Sequence, residues 1–193
     1  LYEYCIIRAN AGNILKNSGW EGYSSSDGVF DDPQAPGSFS VYGDPAMDLV
    51  MEKTRPMMEH LCGKRLLSTH TFWRMYKHGD VLARHKDRAS CEYSTTLCLG
   101  YTPGTKQDPN ADYQWGIWMD ETGGWNNQGT EIKLSPGDMA IYRGFDLEHW
   151  REAYQGVNHA QVFLHYIDAD GPFAAEGQYD TRPQLGLPPE FRN

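Results

Sequence analysis

With 193 residues, of which 39% are hydrophobic, the chain is long enough to bury a sizeable core as one domain, residues 1–193. Its net charge of −9 argues against a broad basic surface for nucleic acid. No run of about 18 apolar residues is present to cross a membrane. The first residues, Leu1-Tyr-Glu-Tyr-Cys-Ile-Ile7, lack the basic start and long apolar centre of a signal peptide, and without an initiator methionine the chain is expected to begin inside a longer one. Cys5, Cys62, Cys91 and Cys98 form no Cys-x-x-Cys pair, which disfavours both a zinc site and a disulfide scaffold. They are read as reduced and mostly buried, in keeping with a cytoplasmic protein.

Taken in order, residues 1–10 carry Tyr2, Tyr4, Ile6 and Ile7, enough for a short strand against a sheet. Residues 10–40 are rich in Gly, Ser, Asn, Asp and Pro and read as a long loop, with Trp20, Tyr23 and Phe30 anchoring it to the core or facing a substrate. Asp44-Pro45 opens a helix as an N-cap followed by proline. Met47, Val50, Met51, Met57, Met58 and Leu61 supply a stripe of helical period up to Gly63, with Pro56 expected to kink or split it. The stripe reads as the face of a helix backing a sheet.

From Leu66 the pattern changes to short apolar and β-branched runs. Strands are expected near 66–76, 81–87, 92–100, 114–120, 130–134, 138–143, 149–154 and 159–167, separated by turns at Gly79, Pro103-Gly104, Gly123-Gly124 and Pro136-Gly137. That many short strands predict a mainly β fold, a double-stranded β-helix (jelly roll, cupin-like) with core about 66–168 and an N-terminal supporting helix. The proline-rich residues 169–193 are expected to drape over the surface or to be disordered at their end.

The chemistry concentrates at His85-Lys-Asp87. In an extended strand these two side chains share a face, placing one imidazole nitrogen beside one carboxylate oxygen. His149, 62 residues beyond Asp87, would complete two histidines and one carboxylate on one side of a metal, with the opposite side open. A bare His-x-Asp arises by chance in many chains. Its setting is more specific: Tyr76-x-x-Gly79-x-x-Leu82-x-x-His85-x-Asp87, then strands, then Pro136-Gly-Asp-Met-Ala-Ile-Tyr142, then His149 and an apolar strand. Over about residues 70 to 168 this resembles the iron(II)/2-oxoglutarate-dependent oxygenases of the prolyl 4-hydroxylase-like superfamily.

The resemblance implies iron(II) bound by His85, Asp87 and His149, with 2-oxoglutarate and dioxygen as co-substrates and hydroxylation of a prolyl peptide or a small metabolite as the reaction. Related iron halogenases lack the carboxylate, so Asp87 favours hydroxylation. Tyr76 matches a tyrosine lying along the 2-oxoglutarate site, and Thr95 is a further candidate from the next strand. Relatives usually place Arg or Lys nine or ten residues after the distal histidine, whereas Asn158 and His159 stand here.

Strand parity offers Arg151, which would leave the same face as His149, as the group that meets the distal carboxylate. His159 and Gln161 follow as second candidates, and an outward Arg151 paired with Glu148 or Glu152 is the structural alternative. On strand 92–100, parity separates Tyr93, Thr95, Leu97 and Leu99 from Glu92, Ser94, Thr96 and Cys98 without saying which set faces inward. Arg84 and Arg88 would face outward unless the strand ends at Asp87. A cupin-like metalloenzyme that uses no 2-oxo acid, and a catalytically silent binding module on the same fold, are the competing classes.

Overall fold

The structure, a computed structural model, describes residues 1–193, and from residue 66 onward its strands follow the alternation of the sequence. Two antiparallel sheets form. The larger has the order β1 (Phe39–Tyr42), β2 (Leu66–Lys77), β9 (Asn158–Asp168), β4 (Tyr93–Tyr101), β7 (Met139–Tyr142). The smaller has the order β3 (Leu82–His85), β8 (His149–Arg151), β5 (Ile117–Met119), β6 (Thr130–Ile132). This is the expected jelly-roll arrangement.

The register of β2 on β9 sorts the side chains. Trp73 opposes Val162 and Met75 opposes Ala160 on one face, while Phe72 opposes Phe163, Arg74 opposes Gln161 and Tyr76 opposes His159 on the other. The first set packs with Leu164 and Tyr166 against the helices and forms the main core. The second set points into the barrel. No helix is long and apolar enough to cross a membrane.

Helix α2 (Pro45–Cys62) starts and stops as its sequence demands. The Asp44 carboxylate accepts the Ala46 N–H at 2.9 Å, and Gly63 closes the helix at φ +63°, where a side chain would be strained. Met47, Met51 and Met58 are fully buried against the sheet, whereas Met57 and Leu61 of the predicted stripe face outward. The helix runs unbroken through Pro56, so the expected split does not occur.

Two expectations for the N-terminal region are corrected. Residues 2–18 form helix α1 (Tyr2–Ser18) rather than a strand and the start of a loop. Only Cys5 and Gly12 are buried in it, so the local pattern is faint. Tertiary contacts decide the outcome: Tyr2 lies over Gly100, whose φ of +153° and missing Cβ permit the approach, and its hydroxyl bonds Asn158. The remaining loop is also shorter than read. It contains a bridge between Val29 and Ser40, and its end becomes the edge strand β1, paired with β2. Phe30 anchors on Phe39 with ring centroids 5.2 Å apart, while Trp20 is exposed.

Asp44 joins three elements at once. Besides capping α2 it accepts the Tyr4 hydroxyl of α1 at 2.6 Å and the Trp73 indole N–H of β2 at 3.3 Å. Asp44→Ala is expected to lower unfolding stability by about 2–4 kcal/mol, combining a lost cap with buried donors left unpaired. Asp44→Asn, which keeps an acceptor, should lose clearly less, and urea denaturation of the two variants measures the difference.

Candidate metal centre and co-substrate pocket

Strand β3 ends at His85, so Asp87 is positioned not by strand parity but by a loop: its N–H donates to Gly144 O at 2.9 Å. The outcome is nevertheless convergent. Asp87 Oδ1 lies 3.5 Å from His85 Nε2 and 3.6 Å from His149 Nε2, and the two imidazole centroids are 4.2 Å apart. The opposite nitrogens are engaged with backbone carbonyls, His85 Nδ1 with Ala83 O at 2.7 Å and His149 Nδ1 with Leu147 O at 3.0 Å. A carbonyl can only accept, so each Nδ1 carries the proton and each Nε2 presents a lone pair to the shared space. Ser94 donates to Asp87 Oδ2 at 3.0 Å. A Cβ at Gly144 would collide with that same carboxylate oxygen, so glycine is required beside the site.

The protonation states suit a cation. Burial pushes His149 down to about 4, only partly opposed by Asp87, so its imidazole is neutral near pH 7. Burial works against an ionised Asp87, yet the neighbouring imidazoles of His85, His149 and His165 hold the carboxyl well below the usual range. A neutral imidazole beside a carboxylate is the form in which these groups bind metal.

Arg151 lies inside, two residues from His149 and opposite Leu82 across the β3–β8 ladder. Its guanidinium is 1% exposed and sits 4.8 Å above the Trp115 ring. It donates to Trp115 O at 3.1 Å and Thr96 Oγ1 at 3.4 Å, its Nε has no partner, and it forms no ion pair with any carboxylate. Burial pulls its pKa down from the ordinary arginine value. An unpaired charge in such a place is costly. The second arginine of the barrel, Arg74, is compensated: it lies 3.1 Å from Asp32 and donates to the Tyr76 hydroxyl at 3.1 Å and to Ser40 Oγ at 3.1 Å.

The other expected residues divide. Tyr76 is fully buried, edge-on to Trp115 at 4.8 Å. His159 and Gln161 are buried beside it and bonded to each other, and the Gln161 carbonyl accepts the Thr96 hydroxyl at 3.0 Å. Thr95 does not join them. It alternates with Tyr93 and Leu97 on the helix-facing side of β4, where its hydroxyl accepts the Leu164 N–H at 3.2 Å. The inward set is Ser94, Thr96 and Cys98. Arg84 faces outward over Trp150, but Arg88 turns inward because the strand has already ended. Arg74 shares the face of Tyr76 two residues on, so parity already held the signal for this partner. Gly144 left no sequence signal, since only the approach of Asp87 reveals its role.

The molecule can now be set beside known proteins. No family model and no curated protein sequence matches. Among solved structures, the non-haem α-ketoglutarate-dependent epimerase SnoN from nogalamycin biosynthesis superposes with a TM-score of 0.56 at 12% identity, covering 82% of this chain and 69% of that one. AviO1 from Streptomyces viridochromogenes gives 0.54 at 16% identity, covering 86% of each chain. A protein of the 2OG-Fe(II) oxygenase family from Burkholderia pseudomallei gives 0.54 at 10% identity, covering 82% of this chain and 90% of that one. The fold is that of the iron(II)/2-oxoglutarate oxygenases. Within this oxygenase fold, the His85, Asp87 and His149 cluster offers one ligand atom each within 4.8 Å of one another.

Several buried imidazoles make folding pH-dependent. Burial lowers both His149 and His165 to about 4 from an ordinary 6.5. Each therefore binds its proton more weakly folded than unfolded, so stability is full above about 6.5 and is lost as pH falls from there through about 4. Denaturation of metal-free protein across that window should show the decline, with a shallower slope for His165→Gln. A flat profile would contradict burial of neutral rings.

Proposed function

We propose that the protein is an iron(II)- and 2-oxoglutarate-dependent dioxygenase that hydroxylates its substrate. His85 Nε2, His149 Nε2 and an Asp87 oxygen would hold the metal, and Arg151 would hold the distal carboxylate of the 2-oxo acid. The observation that carries this reading is the pairing of a three-ligand cluster with a buried guanidinium that lacks a counter-ion. The usual basic position after the distal histidine is taken by His159, which burial and Arg151 keep neutral. It cannot supply the charge that Arg151 supplies.

When bound, iron(II) with a 2-oxo acid would supply oxygen activation and hydrogen abstraction. The chain's own residues do the positioning. The Ala83 and Leu147 carbonyls fix the tautomers of the two histidines, and Ser94 orients the carboxylate. Arg151, steadied by Trp115 and Thr96, would fix the far end of the co-substrate, while the Tyr76 hydroxyl, already accepting from Arg74, keeps its proton to donate to a carboxylate. Burial of these groups excludes water and strengthens each bond.

His85→Ala and His149→Ala are each expected to abolish stoichiometric iron binding, read by metal analysis. Full occupancy in both would remove the cluster from consideration. Arg151→Ala should weaken 2-oxoglutarate binding by roughly 30-fold or more while retaining metal, since truncating one partner of a buried charge pair costs about 2–5 kcal/mol. Anaerobic titration of the iron(II) protein with 2-oxoglutarate, followed by its visible charge-transfer band, measures this. No band at any attainable concentration in the parent would instead favour a metalloenzyme that uses no 2-oxo acid.

A further inference from the structure

The metal cluster opens into a cavity of about 570 Å³, a volume suited to a small organic molecule. Its walls are apolar in part, with Phe72, Phe163, Leu82 and Val29, but its charge is one-sided. Arg74, Lys86, Arg88 and Arg192 line it against only Asp32 and Asp87, in a protein whose net charge is −9. Arg74 is paired with Asp32, and Lys86 meets only a neutral carbonyl, donating to Gly123 O at 2.5 Å. The other two, Arg88 and Arg192, stand at the edge of the cavity.

These two arginines share one carboxylate. Arg88 donates to both Asp180 oxygens, at 2.7 and 2.5 Å, and Arg192 reaches Asp180 Oδ2 at 3.5 Å. The same Oδ2 accepts the Tyr42 hydroxyl at 2.6 Å. The nearby Arg182 adds no counter-charge, being a cation itself turned away to Asp48 and backbone carbonyls. Asp180 is 3% exposed, whereas the Arg88 and Arg192 side chains are 44% and 43% exposed.

The backbone around Asp180 shows that this arrangement is enforced. Tyr179, Asp180 and Thr181 all lie in the left-handed region at φ +58°, +57° and +62°, a conformation that non-glycine residues hold only when tertiary contacts impose it. The tail is bent so that one acid steadies two guanidiniums at the rim while leaving one positive charge unmatched.

We propose that Arg88 and Arg192 form an anion-binding rim that recognises a carboxylate or phosphate terminus on the primary substrate, whose apolar body lies along Phe72 and Phe163 toward the metal cluster. The substrate class is thus a small amphiphilic acid. Positive potential focused in a cavity of an acidic protein would also speed the capture of such an anion. The proposal rests on the oxygenase reading for what is done to the substrate, and not for what holds it.

The test is calorimetric binding to the metal-free full chain of three probes that differ at one end: 4-phenylbutyrate, 3-phenylpropyl phosphate and the neutral 4-phenylbutanamide. At least one of the two anions should bind about tenfold or more tighter than the amide, a charge-assisted contact being the only difference. The tighter anion names the terminus the site prefers. Arg192→Gln should erase that preference without weakening the amide, Arg192→Lys should retain part of it, and Arg151→Gln should leave it intact.

Equal affinity for acid and amide would overturn the proposal. So would an unchanged preference in Arg192→Gln, loss of preference confined to Arg151→Gln, or no binding of any probe at about 10 mM. Because Arg88 also anchors the tail, Arg192→Gln is the deciding variant. Iron and 2-oxoglutarate binding, measured separately on the same protein, can fail without altering these outcomes, and the reverse holds as well.

Discussion

The ladder between β2 and β9 is the contact on which the rest depends. It runs along most of both strands, and its register decides which residues look into the barrel. Because side chains alternate with a period of two, a slip of one residue would carry Arg74, Tyr76, His159 and Gln161 to the helix face and bring Trp73, Val162 and Leu164 inside. That slip is prevented by the large apolar area buried behind the sheet. Trp73, Met51, Val162, Leu164 and Tyr166 are all fully buried there, and each would be exposed to a polar interior. The functional face is therefore held by packing on the opposite face.

What the packing holds is an interior that carries charge. Two arginines, several imidazoles and a carboxylate lie within the barrel, and each is handled differently. Arg74 has its own carboxylate, His149 and His165 are neutral because burial makes their protonation costly, and Asp87 is ionised because its imidazole neighbours outweigh burial. Arg151 stands apart as a buried cation with hydrogen bonds but no counter-charge. A folded chain tolerates such a group when hydrogen bonds and an aromatic face offset part of its desolvation, as Trp115 and Thr96 do here.

Elements outside the two sheets complete the cavity. The segment before β1 contributes Val29 and Asp32, and the C-terminal tail contributes Arg192 through contacts centred on Asp180. The tail is consequently not a loose wrapping. Arg182 is 3% exposed and bonds Asp48 of α2 and the Thr69 carbonyl of β2. Loops and tails set on a rigid sheet are where binding specificity commonly resides.

The strands from residue 66 onward, the capped helix α2 and the convergence of His85, Asp87 and His149 were legible in the sequence, because each depends on local periodicity, a local cap or a spaced motif. Arg151 was legible for the same reason, since parity along β8 carries from His149 to the next inward position. Helix α1 was not, because its apolar stripe is thin and its stability comes from Tyr2 and Tyr4 meeting Gly100 and Asp44 far along the chain. Thr95 was misplaced because parity sorts β4 into two sets but cannot say which set faces the barrel. The inward turn of Arg88, the need for glycine at 144 and the sharing of Asp180 by two arginines were decided only by tertiary structure. Each is a meeting of residues distant in sequence, and no local pattern encodes where such residues will touch.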